Sequence, residues 1–421
     1  MKKVIISLFV VVLLCINSIC AGTGSGSGAS LSGSGSGSSF SDSSLSGSGG
    51  SGSSFSDSSL SSESNSGTTS TTPSTNSQSS SDSGSIIYPN DENILYSGRF
   101  DTTQSADNYY GFSWSGCQIS LSITGTTTIK PILDSVGDNW FDVIVNNAIL
   151  TPFNVSSVAH QEYDIIGSTN LDPTQTYSIV LSKRTEASFG EVRFYGFSVD
   201  STGKTVPQQK PTRKIEFIGD SITCGYGDLG TAPCNFQAIT EDNYDTYASI
   251  TARELECEMF LEAWSGRGVV RNYGSPTPTS TSGTVPDLYP YTIPTDPSIE
   301  WDFNQYIPDA VVINLGTNDY STQPVPSQEQ FQNGYIEFIK TIKSNYAQAE
   351  PEIFLICGPM IGNPCCEYVA NVSTLVGATF IDAQNILTEP TDFGCNGHPS
   401  INGHMKLGAV ISPIIQKVMA W

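Results

Sequence analysis

Moving an acyl group without a metal takes three things: a hydroxyl that attacks, an imidazole that accepts its proton, and neutral N–H groups that hold the oxyanion. The stretch GDSITCGYG at 219–227 offers the hydroxyl. Ser221 follows an apolar run, IEFIGD at 215–220, and Gly219 and Gly225 allow the chain to turn closely around it. The same residue type also caps helix N-termini, so Ser221 alone reads either way. The stretch is neither a Gly-x-Ser-x-Gly elbow nor a phosphate-binding loop. The chain has three histidines, His160, His398 and His404. His160 lies far upstream and His404 inside a helical pattern. His398, in GCNGHPSINGH just before the last helix, is the better base, and Asn402 is placed to cap that helix. For the oxyanion, GTND at 316–319 contributes Asn318, and AWSGRG at 263–268 contributes Gly266. With the amide of Ser221 these make three neutral donors. No recognised metal motif accompanies them, and the chemistry calls for no cofactor.

Several of these groups sit where a strand ends. From about residue 212 the chain alternates apolar runs (IEFIGD, EMFLEAW, AVVINLG, EIFLIC, ATFIDA) with helical patterns such as QFQNGYIEFIKTIKSNY at 330–346. Phe331, Tyr335, Phe338, Ile339 and Ile342 there share one helix face. This order predicts an α/β domain over 212–421 with a parallel central sheet. Ligands of such sheets gather beyond the carboxyl ends of the strands. Residues 86–205 have another rhythm. Short alternating runs (QISLSI, WFDVIV, YSIVLSK, VRFYGFSV) are separated by Gly, Asn, Asp and Pro, the pattern of an all-β sandwich. Residues 201–212 read as a connector.

The first 21 residues, with Lys2, Lys3 and a short apolar core, read as a secretory signal peptide. Residues 22–85 are almost all Gly, Ser and Thr, repeat GSSFSDSSL at 37–45 and 52–60, and read as a disordered linker. No stretch predicts stable membrane insertion. Eight cysteines lie beyond the leader, and export makes some pairing expected. Asn154 and Asn371 begin Asn-Val-Ser triplets open to glycosylation. A net charge of −23 argues against nucleic acid as a partner.

The four dispersed blocks resemble those of the SGNH hydrolases, the GDSL-like lipases and acylhydrolases, over roughly 213–421. AWSGRGVVRNYG, INLGTNDY and GCNGHP, together with SADNYYGFSWSGCQI at 105–119, are more narrowly similar to carbohydrate esterase family 2. That resemblance implies a jelly-roll-like β module joined to an SGNH domain. It also implies removal of acetyl groups from plant cell-wall polysaccharide such as xylan or glucomannan. By matching position it assigns Ser221 and His398 to catalysis, and Ser221, Gly266 and Asn318 to the oxyanion.

One position departs from the pattern. Three residues before the histidine the wider family carries Asp, and this chain carries Cys395. The expectation is a Ser221–His398 dyad with backbone help for the ring, Asp392 being a possible third member. Pairing of Cys395 with Cys365 or Cys366 is a plausible structural use of that position. Trp264, Tyr273, Tyr320 and Trp301 are candidates to line a sugar groove, and the Pro-rich insertion 275–309 reads as a cleft wall or as a packed surface excursion. Two other functions stay open: an acylhydrolase of small or lipid esters, and a carbohydrate-binding protein that has lost catalysis.

Overall fold

The run QISLSIT, Gln118–Thr124, buries Ile119, Leu121 and Ile123 completely and turns its polar residues outward, the period-2 pattern of a half-buried strand. Its neighbours repeat the pattern and build two antiparallel sheets in the computed structural model, which describes residues 84–104, 108–167 and 170–421. The expected leader and almost all of the Gly/Ser/Thr-rich stretch lie outside the described residues. One sheet centres on Val192–Val199, paired with Ser85–Ile87, Tyr110–Phe112 and Ile129–Ser135. The other centres on Gln118–Thr124, Thr176–Lys183 and Asn139–Val145. Their inner faces enclose one core around Trp114, Phe112, Phe141 and Phe194. The stretch read as a connector adds one more strand, Lys204–Val206, to the second sheet.

Beyond it the topology changes. Five parallel strands, β1 (Arg213–Gly219), β2 (Cys257–Ala263), β3 (Ala310–Asn314), β4 (Glu352–Cys357) and β5 (Thr379–Asp382), lie in the order β2-β1-β3-β4-β5. Strand β3 is AVVIN with every residue buried, as expected of a strand covered on both faces. One face carries α2 (Tyr247–Glu254) and α5 (Ile401–Met419), packed around Tyr247, Leu407, Ile411 and Ile415. The other carries α3 (Gln328–Asn345) and α4 (Cys365–Val376). Helix α3 buries the five residues its spacing marks, and Ser327 with Gln330 forms its capping box. Helix α5 is capped by Ser400, whose Oγ accepts from the Gly403 amide at 3.2 Å, not by Asn402, whose amide goes to Asp392. Helix α1 (Ser221–Cys224) is a single turn directly after β1, and single turns also form at Val285–Leu288 and, after β3, at Thr317–Tyr320.

The sandwich is bonded to the sheet it precedes. Arg99, fully buried, reaches Glu216 of β1 at 3.3 Å and Glu262 of β2 at 2.9 Å. The second contact is badly angled for a hydrogen bond, so it acts as charge pairing. The guanidinium also lies 4.8 Å from the Tyr289 ring and 5.4 Å from that of Trp301. Insertion 275–309 therefore packs its large aromatics inward.

Candidate active site

Strand β1 ends at Gly219, and Asp220 rather than Ser221 caps the turn of helix that follows. Its Oδ1 accepts from the Ile222 amide at 3.1 Å. The Ser221 hydroxyl is thereby released from capping and stands 2.8 Å from Nε2 of His398. The two residues are 177 apart in sequence and meet because α5 packs against α2 beside β1. The turn after β2 and the single helical turn Thr317–Tyr320 after β3 bring Gly266 and Asn318 to the same cavity, of about 420 Å³. Tyr226, Ser265, Tyr273, Thr317, Ser321, Met360 and Asn396 complete its lining, so no Asp, Glu, Lys or Arg faces it.

The donors differ in readiness. The main-chain amides of Ser221 and Gly266 make no hydrogen bond among the described residues. Asn318 Nδ2 donates to Asp220 Oδ2 at 3.0 Å and to the Arg267 carbonyl at 2.8 Å, so both of its hydrogens are engaged. Burial pushes Asp220 up to about 7, against the pull of the Ile222 amide. The loop bearing Gly266 is held from two sides. Asp319 accepts from the amides of Val269, Val270 and Arg271 at 2.9, 2.8 and 2.8 Å, and burial still raises it to about 6. Glu186, from the sandwich, accepts from the Ser265 amide at 2.8 Å. The position of Asp319 was visible in GTND; nothing local in sequence marks Glu186.

His398 keeps some surface toward the cavity and is otherwise enclosed. That burial lowers it to about 4, while the backbone groups of Asn396 and Cys395 pull the other way. Its Nδ1 is sealed from solvent and has no well-formed hydrogen bond. Asp392 does not take the place of the missing acid. Its carboxylate accepts from the amides of Thr388 and Glu389, from Asn402 Nδ2 and from Lys406 Nζ. Lys406 first, and those amides, hold Asp392 down at about 2; its own partners, not a deep core, cover it. None of its hydrogen bonds is to His398, because Asp392 is spent on bracing the start of α5. Instead the imidazole lies on the Tyr226 ring, centroids 4.2 Å apart, and Tyr226 is stacked on Phe236 at 3.9 Å.

Other expectations need correcting. Cys395 is bonded to Cys234, and Cys366 to Cys357, while Cys365 is a buried free thiol against Gly316. Of the groove aromatics, only Tyr273 lines the cavity, 62% exposed. Trp301 is buried with Phe260 and Tyr306, away from the site. Tyr320 packs edge-on against Phe331, and Trp264 leans on the sandwich core beneath Arg267. Among the described residues, Glu186, Cys224 and Glu241 bring ligand atoms within 4.8 Å of one another. Lys183 is buried beside this group; burial lowers it to about 8, opposed by Cys117, Glu241, Glu186 and Cys224, and its Nζ donates to the Glu186 carbonyl.

Residues 96–208 match the carbohydrate esterase 2 N-terminal family, and residues 217–406 the GDSL-like lipase/acylhydrolase family. The cellulase/esterase CelE of Acetivibrio thermocellus is 38% identical over 351 residues, 79% of this chain; the match spans 40% of that relative's length. An acetylxylan esterase/glucomannan deacetylase of Cellvibrio japonicus is 24% identical over 340 residues, covering 80% of this chain and 91% of its own. The structure of a family two carbohydrate esterase from Clostridium thermocellum, in complex with cellohexaose, superposes with a TM-score of 0.70 at 36% identity. That match covers 78% of this chain and 99% of the other. Among the described residues, no helix is long and apolar enough to cross a membrane. A β-sandwich followed by a parallel sheet, a serine and a histidine in contact where the strands end, and the match to both halves together place the chain in carbohydrate esterase family 2, with a GDSL-type ester-hydrolase half.

Proposed function

We propose that this chain is an exported serine esterase that removes O-acetyl groups from plant cell-wall polysaccharide, xylan or glucomannan, through an acetyl-enzyme. The observation that carries the reading is the 2.8 Å contact between Ser221 Oγ and His398 Nε2 in a cavity with no Asp, Glu, Lys or Arg in its lining. His398 takes the Ser221 proton as Oγ attacks the acetyl carbonyl. The amides of Ser221 and Gly266 receive the oxyanion, and Asn318 joins by sharing one of its engaged N–H groups. The imidazolium then protonates the departing sugar oxygen. Water repeats the sequence on the acetyl-enzyme and frees acetate.

A lining without formal charge suits a neutral sugar, and the exposed Tyr273 ring offers it a face to lie against. The leader-like residues 1–21, the Gly/Ser/Thr-rich stretch and two disulfides favour export. Acetate release from acetylated xylan and glucomannan, compared for the natural chain and Ser221→Ala, tests the proposal. Loss of release in the variant is expected. Activity confined to long acyl esters would point to a lipid acylhydrolase, and sugar binding without acetate release to a non-catalytic protein.

A further inference from the structure

The imidazole that must act as base has no acid behind it, yet the loop that carries it is tied down at many points. Cys395, in the position where the wider hydrolase group has its acid, is fully buried and bonded to Cys234. Around that bond the segment following the serine and the segment preceding the histidine are laced together. The Cys395 amide donates to Gly227 O at 2.9 Å, the Asn396 amide to Cys234 O at 3.0 Å, and the Ile401 amide to Asp228 O at 3.3 Å. Contact is close enough that a side chain on Gly394 would come within 2.2 Å of the Gly227 carbonyl, and one on Gly227 within 2.6 Å of Cys395 Cβ. Phe236, two residues past Cys234, is the ring that supports Tyr226, and Tyr226 is the ring under His398. One covalent bond therefore closes a clamp whose two jaws carry the aromatic support and the imidazole.

We propose that the Cys234–Cys395 disulfide is the positioning element that replaces the missing acid, so that turnover depends on its oxidation state. The proposal rests on His398 being the base. The clamp holds the ring by its backbone and by its face, which leaves Nδ1 without need of a carboxylate to fix orientation. Cys234 is the half-exposed partner, beside an open hollow lined by Ala232, Pro233, Asn235, Asn396 and Gly397. A dithiol entering there attacks the Cys234 sulfur, the S–S bond breaks, and Cys395 leaves as a thiolate that takes up a proton. The second thiol of the reagent closes its own disulfide and releases Cys234 as a thiol. Two electrons pass from reagent to protein.

The test compares the natural chain before and after dithiol treatment, Cys234→Ser, a Cys357→Ser/Cys366→Ser control, and His398→Ala, by initial rates on an acetylated sugar with thermal unfolding alongside. Expected are a fall in kcat of at least tenfold with KM within twofold, recovery on reoxidation, and the same fall in Cys234→Ser, which no longer responds to dithiol. The acid limb of kcat/KM should move upward toward the ordinary imidazole value as the loop opens, a change that mere loss of stability does not cause. The control should keep its kcat. Unchanged kcat in folded, fully reduced protein, or absence of the Cys234–Cys395 cross-link from peptide maps, overturns the proposal. Were Cys234→Ser unable to fold, dithiol titration of the natural chain decides alone. Activity surviving in His398→Ala would instead remove the base assignment itself.

Discussion

Lowering the pH addresses the base directly. An ordinary imidazole titrates near 6.5, whereas enclosure places His398 at about 4. At pH 5 a base with that value is about 90% neutral and an unperturbed one about 3%, so kcat/KM at that pH should differ roughly thirtyfold between the two cases. The sign is fixed by the cause: burial disfavours the charged form, so the neutral, proton-accepting form survives to lower pH. The assay is kcat/KM for a soluble acetylated sugar from pH 3.5 to 8, because that ratio reports the free enzyme. Asp220, pushed up to about 7, could add a limb of its own, and Asp220→Asn removes it. A midpoint below 5 in that variant agrees with the enclosed imidazole. A midpoint at 6.5 that persists in Asp220→Asn refutes it.

The same enclosure opposes the imidazolium formed in the transition state by about 3 kcal/mol. The face of Tyr226 should recover part of this. Tyr226→Leu is expected to lower kcat by about five- to thirtyfold while Tyr226→Phe keeps it, as cation–π energies of roughly 1–2 kcal/mol imply; equal rates in the two variants would argue against the ring. Glu186→Ala frees the Ser265 amide next to Gly266 and should cut kcat about tenfold with little change in KM, and Glu186→Gln, which keeps an acceptor, should retain most of it, as expected for a group that orients an oxyanion donor. Steady-state kinetics on both variants decide this. Arg99→Ala leaves Glu216 and Glu262 buried without their cation and should cost about 3–5 kcal/mol in urea unfolding; a loss under 1 kcal/mol would show that the two halves do not depend on this contact.

The parts legible in sequence are those encoded locally. Alternation in QISLSIT and the five-residue stripe of α3 specify what each element buries, and the structure buries those residues. Ser221, Gly266 and Asn318 could be picked out because each follows an apolar strand of a parallel sheet, and His398 because it directly precedes the last helix; the four line one cavity. What was missed depends on distant partners. That the Asp220 carboxylate caps α1 while the Ser221 hydroxyl meets His398 turns on a partner 177 residues away. Cysteine spacing says nothing of Cβ direction, so the bond from Cys395 to Cys234, 161 residues away, could not be read. Trp301 looks like a groove aromatic in a Pro-rich insertion, yet Arg99 from the sandwich draws that insertion inward. Asp392 had the right chemistry at the wrong place, and Lys406 claims it.

In the proposed mechanism the acetyl group passes covalently through Ser221. Rapid acid quench during turnover of an acetylated sugar, followed by peptide mass spectrometry, reads that step itself. One acetyl group on the peptide containing Ser221, absent in His398→Ala, is the predicted result. Turnover at the full rate with an unmodified Ser221 peptide, and an acetyl group accumulating on another residue, would contradict it.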